Sequence, residues 1–202
     1  MKNLYRYFLL SPSTSMLCLL TPLAYAFNLW ASSTLTASYI ASQFPVPYYV
    51  AQLSFNPDQL KIWYATLQQL GTFDVYLQTQ HIDSLFILSV LILHCLALVL
   101  VSRLFSADSK GRKIMVACAL ISAIAPISDQ LENVVSYIML ANPSNFADHL
   151  AYIYSSFAAT KFAFFVFAYV AAPLGLIAGL INLLINRRQQ AHAPVQQPAT
   201  SR

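Results

Sequence analysis

Charge is what this sequence has least of. Of 202 residues, eleven are Lys or Arg and seven Asp or Glu, 9% in all, against about a quarter in an ordinary globular chain. That scarcity excludes a disordered chain, which needs charge and low hydrophobicity to stay unfolded. Only four glycines are present, which excludes a collagen-like repeat, and none stands in a phosphate-binding loop or in a G-x-S-x-G elbow. A nucleotide hydrolase or serine hydrolase therefore has no motif behind it. The three cysteines, Cys18, Cys95 and Cys118, stand singly in three different apolar stretches. Without C-x-x-C spacing they make neither a disulfide framework nor a zinc site.

What is there is apolar sequence: 58% of the residues are hydrophobic, and they fall in long runs. A bilayer core about 30 Å thick needs about 20 apolar residues at about 1.5 Å each. Four runs meet that length, and the spans are expected at about 7–30, 84–102, 114–140 and 162–185. The expected fold class is all-α: a polytopic membrane protein with four transmembrane helices packed as a four-helix bundle over residues 1–186. The net charge of +4 is no nucleic-acid signal, because the basic residues lie at helix ends rather than on one face.

Orientation follows from the basic residues, since short loops rich in Lys and Arg stay in the cytoplasm. Lys2, Arg6, Arg103, Lys110, Arg112, Lys113, Arg187, Arg188 and Arg202 fall on one side of the spans, and Lys61 and Lys161 on the other. Both termini are thus expected in the cytoplasm of a bacterial inner membrane, with residues 187–202 a disordered tail. A competing reading exists at the N-terminus: Lys2 and Arg6 precede an apolar run ending in Ala24-Tyr25-Ala26, the small-x-small pattern of a signal peptidase site.

The first outer loop, 31–81, opens with a Ser/Thr-rich stretch and then carries a helix start at Asn56-Pro57-Asp58, where Asn caps, Pro fits the first turn and Asp meets the positive helix end. Leu60, Trp63, Tyr64, Leu67 and Leu70 recur at helical spacing before Gly71, so a short amphipathic helix is expected there. It either packs over the bundle or offers a partner a docking surface.

Ionisable groups within spans are costly and ordinarily face a bundle interior, a cavity or each other. On the third span Asp129, Glu132, Asn133, Ser136 and Tyr137 share one face just past Pro126, a residue that kinks helices. Counted from the cytoplasmic ends, Asp129 lies roughly 24 Å and Glu132 roughly 28 Å up that span, with Asp83 and Lys161 near roughly 30 Å on the second and fourth. Such a cluster either handles a proton or binds a ligand, or else Lys161 neutralises a carboxylate and Asn133 ties neighbouring helices together. His94, near mid-membrane and three turns below Asp83, is either a hydrogen-bonded packing histidine or a relay towards Asp129. No second mid-span histidine exists to pair with it on a haem, so no cofactor is expected. His81, Asp74 and Asp148-His149 are metal-ligand types at the outer end, but their spacing matches no metal motif and no metal is expected. Ala171, Gly175 and Gly179 repeat every four residues on the fourth span, a ridge for close helix packing within the bundle or between copies.

Asp83 heading the second span, Asp129-Gln130-Leu131-Glu132-Asn133 in the third and Thr160-Lys161 heading the fourth resemble an uncharacterised family of four-span bacterial integral membrane proteins. The resemblance covers Asp74 to about Ile185. It implies that Asp83, Asp129, Glu132, Asn133 and Lys161 act as one unit, and it brings no activity with it. The expected function is a binding or accessory subunit whose outward-facing polar pocket holds an amphipathic, lipid-like small molecule or a partner membrane protein. The alternatives are proton-coupled transport through His94, Asp129 and Glu132, and a membrane enzyme acting on a lipid or isoprenoid at the outer interface.

Overall fold

The structure, a computed structural model, describes residues 2–191. Among these, the regular elements are all helices: α1 (Lys2–Leu10), α2 (Thr14–Ala41), α3 (Tyr48–Gln52), α4 (Pro57–Leu70), α5 (Phe73–Ser102), α6 (Lys110–Ser122), α7 (Ile124–Leu140) and α8 (His149–Ala191). Four helical stretches are long and apolar enough to cross a membrane, namely Thr14–Ala41, Phe73–Ser102, Lys110–Leu140 and His149–Gln189. The chain is an all-α, polytopic membrane protein.

The elements differ from the expected spans at their ends, each time for a local reason. The first apolar run is divided at Pro12, which cannot continue α1. Ser13 then caps α2, its hydroxyl accepting from the Met16 N–H at 3.3 Å. The Ser/Thr-rich stretch read as loop is the C-terminal part of α2. There Ser33 and Thr34 turn their hydroxyls back onto the Trp30 carbonyl at 2.8 and 2.9 Å, a bond that leaves the helix intact. Ala24 of the small-x-small pattern is buried in mid-helix. The third span is interrupted at Ala123, between α6 and α7, because Pro126 has no N–H to offer the Ser122 carbonyl and its ring crowds that group. At the far end α8 runs on to Ala191, so residues 187–191 of the expected tail are helical. No Pro follows Pro173 until Pro194, and residues 192–202 lie outside the described part.

Packing joins the long helices in a definite order. α2 lies along α5, α7 along α8, and α6 against both α5 and α8, whereas α2 and α8 do not pack along each other. The α2 seam is built on Leu17, Ala24 and Ala31, all buried and seven residues apart, two turns of helix that return to one face. Asn28 donates to Ser89 Oγ at 2.9 Å, and Ser38 meets Thr79 at 2.7 Å, tying α2 to α5 at two further levels.

At one end sits α4. Asn56 caps it by accepting from the Gln59 N–H at 3.1 Å, and Gly71 closes it with φ 71°, the left-handed conformation that only glycine adopts without cost. Leu60, Trp63, Tyr64 and Leu67 are buried, while Leu70 is exposed. These side chains join Tyr76, Met139, Phe146 and Tyr154 in a single core. The amphipathic face of α4 is therefore spent on covering the ends of α5, α7 and α8. Lys61, paired with Asp148 at 2.6 Å and lying over the Phe146 ring, fastens the cover at its edge.

At the opposite end the carbonyls that finish α1 are held by two arginines. Arg103 donates to Leu9, Phe8 and Pro12 carbonyls at 2.6, 3.1 and 3.1 Å, and Arg112 donates to Leu9 at 2.6 Å. The Phe8 and Leu9 carbonyls are acceptors that the C-terminus of α1 leaves unpaired, and Pro12 lies just beyond it.

Candidate functional site

Three helices bring the charged residues together below the α4 cover. Within α7, Asp129, Glu132, Asn133 and Ser136 fall on one face, all buried. The start of α8 presents Ala151, Tyr154, Ser155, Ala158 and Lys161, also buried and also three or four residues apart. Small Ala151 and Ala158 let α8 approach α7 closely, and Lys161 reaches across. Its Nζ donates to Asp129 Oδ1 at 2.7 Å and stands 2.6 Å from Glu132 Oε2, an ion contact without hydrogen-bond alignment. From α5, Asp83 accepts from Asn133 Nδ2 at 2.7 Å. One ammonium thus faces three carboxylates, and Lys161, Asp129 and Glu132 each keep no more than 4% of their side-chain surface.

Behind this group lies a second polar layer. Glu132 Oε1, Ser136 Oγ and the Tyr64 hydroxyl are buried with no hydrogen-bond partner among the described residues. Burial pushes the Tyr64 phenol above its ordinary range and Glu132 adds to the rise, while the neighbouring Ser136 hydroxyl opposes both.

In front of the group is a cavity of about 380 Å³, within the roughly 300–1,000 Å³ of small-molecule sites. Its floor is Asp83, Asp129 and Lys161, with Gln80 and Thr79 beside them. Aromatic rings form the walls, Tyr39 from α2, Tyr76 and Phe86 from α5, Tyr154 and Phe165 from α8. Ile40, Tyr48, Val166 and Tyr169 line it too, and they are 70%, 54%, 62% and 64% exposed. The mouth therefore lies in the gap between α2 and α8, the two long helices that do not pack together. With α4 covering the end, the way in is sideways, from where lipid chains would lie.

The remaining residues singled out in the sequence stand apart from this floor. Tyr137 is half-buried at the edge, its hydroxyl 3.0 Å from His81 Nδ1 and the two rings stacked. His94 packs edge-on with Phe165 and Tyr169, its Nδ1 buried without a partner among the described residues, and no hydrogen bond among these residues links it to Asp129. Asp148 is occupied by Lys61. Gly175 and Gly179 face inward: a Cβ at Gly175 would run into Met115 of α6, and one at Gly179 would lie 2.7 Å from Leu104 Cβ. Ala171 packs into the same core, with Leu17, Leu98 and Met115.

Tyr76, Thr79 and Gln80 were not singled out, although a signal for them exists. With Asp83 they recur three and four residues apart and complete one face of α5. With Gln78 and His81 among them, they fall in a stretch too polar to count towards the apolar run. Compared with known proteins, the chain matches no family model, no curated protein sequence and no solved structure.

Proposed function

We propose that the protein is a non-enzymatic binding or accessory subunit of a bacterial inner membrane that holds an amphipathic ligand in the cavity between α2 and α8. The polar head meets Asp83, Asp129 and Lys161, and the chain leaves through the gap past Ile40 and Val166. One observation carries this reading: a charged floor and aromatic walls share one cavity whose mouth opens between two apolar helices. A water-soluble ligand has no use for such a mouth, and a mere packing defect has no use for such a floor.

The distribution of Lys and Arg at the ends of α1, α5, α6 and α8 supports a cytoplasmic position for that side. The cavity and α4 then face outward, with both termini inside. The enzymatic alternative is less well supported, because of its two candidate acid/base residues Glu132 does not line the cavity and Asp129 is held by Lys161. Proton-coupled transport is weaker still, since His94 Nδ1 has no hydrogen-bond partner among the described residues through which to reach the cluster.

Native mass spectrometry of protein gently extracted from its own membrane tests the reading. The expected spectrum shows one bound amphiphile per chain, reduced in Asp83→Ala. Folded protein that appears only at its bare mass overturns it.

A further inference from the structure

The sign of charge at the cavity floor decides what kind of head group the site takes. Lys161 is the obvious anchor for an anion, yet its ammonium already lies between Asp129 Oδ1 and Glu132 Oε2 at 2.7 and 2.6 Å and over the Phe162 ring. An anionic head would have to enter beside Asp83 and Asp129 and compete with two carboxylates for one cation. Counted as charged, the three carboxylates outnumber the ammonium by two, and uncompensated charge in a low-dielectric site is costly. A second cation would relieve that cost.

Geometry on the floor supports the same sign. Asp83 uses Oδ2 to accept from Asn133, and Asp129 uses Oδ1 to accept from Lys161. The other oxygen of each accepts no side-chain hydrogen bond among the described residues, and both residues line the cavity. Around them stand the rings of Tyr39, Tyr76, Phe86 and Tyr154, whose faces attract a cation. A primary ammonium has three N–H donors for such acceptors, whereas a trimethylammonium has none.

Resting on the proposed binding role, we infer that the ligand is an amphiphile with a primary ammonium head, seated between Asp83 and Asp129 with its chain leaving between α2 and α8. The head belongs either to a bilayer lipid of the phosphatidylethanolamine type or to a single-chain amine.

Binding of dodecylamine, dodecyltrimethylammonium and dodecyl phosphate to the full chain in detergent, each below its micellar concentration, measures the selectivity. The same protein in nanodiscs containing equal phosphatidylethanolamine, phosphatidylcholine and phosphatidylglycerol shows which source is used. Dodecylamine is expected to bind at least tenfold more tightly than either competitor, and Asp83→Asn to remove that preference. Selective retention of phosphatidylethanolamine identifies the lipid as the source, and its absence beside tight dodecylamine binding identifies the free amine. Equal or tighter binding of dodecyl phosphate or of the trimethyl compound overturns the primary-amine assignment while leaving an amphiphile site in place. Binding of none of the three, and retention of no lipid, overturns the binding role as well. The selectivity is read on the unmodified chain, so it stands even if Asp83→Asn fails to fold.

Discussion

Lys161 of α8 holds Asp129 and Glu132 of α7 at once, at 2.7 and 2.6 Å, so a single ammonium joins two helices at two points one turn apart. Removing it leaves two buried carboxylates facing each other. Lys161→Met is therefore expected to destabilise the protein by about 3–5 kcal/mol, the cost of orphaning a buried charge. Adding Asp129→Asn and Glu132→Gln to that variant is expected to recover most of the loss. Thermal unfolding in detergent measures both; a triple variant no more stable than Lys161→Met contradicts the ion-pair account.

Tyr64 carries the opposite expectation. Its ring is fully buried in the α4 core, but its hydroxyl has no hydrogen-bond partner among the described residues. Tyr64→Phe deletes a desolvated donor without opening a cavity, so stability is expected to stay level or rise. Leu67→Ala, in the same core, is expected to lose about 2–5 kcal/mol. A loss of similar size in Tyr64→Phe would mean that the hydroxyl is engaged.

The two inward glycines of α8 separate by what they meet. At Gly175 a methyl group meets the flexible end of Met115, but at Gly179 it meets Leu104 Cβ, which is fixed to the backbone. Gly179→Ala is expected to cost about 1–3 kcal/mol through overpacking, and Gly175→Ala to cost less as Met115 moves aside. Equal tolerance of both substitutions would contradict the packing of α8 on the end of α5.

Arg103 supplies two of the three arginine bonds to the last turn of α1 and a further one to Pro12 just beyond it. With Arg103→Ala, amide hydrogen exchange is expected to rise sharply in residues 3–10 and to remain unchanged in α5 beyond its last turn. Unchanged exchange in α1 would show that the lipid surface, rather than Arg103, holds it.

The all-α class and the four long apolar helices were legible because span length is set by bilayer thickness, and α4 because Asn56, Pro57 and Gly71 punctuate it locally. Helix ends were less legible. A hydropathy window measures transfer to lipid, whereas the first turns of α5 and α8 are buried by protein: Tyr76 under α4, Tyr154 against α7. Asp129, Glu132 and Asn133 could be placed on one face from spacing alone. That Lys161 would bind both carboxylates, and that Asn133 would turn to Asp83, depends on how α5, α7 and α8 sit around one another. The cavity was not legible at all, because it exists where α2 and α8 do not pack along each other, and no local pattern encodes a gap between distant helices.

The central claim, that an amphiphile enters sideways between α2 and α8, is tested most directly by photo-crosslinking with a lipid carrying a diazirine near the head-group end of its chain. The account predicts labelling concentrated in residues 35–52 and 162–169 and suppressed by unlabelled competitor. Labelling spread evenly over the exposed apolar face of α8 from Leu174 to Leu184, with no suppressible component at the gap, would contradict it.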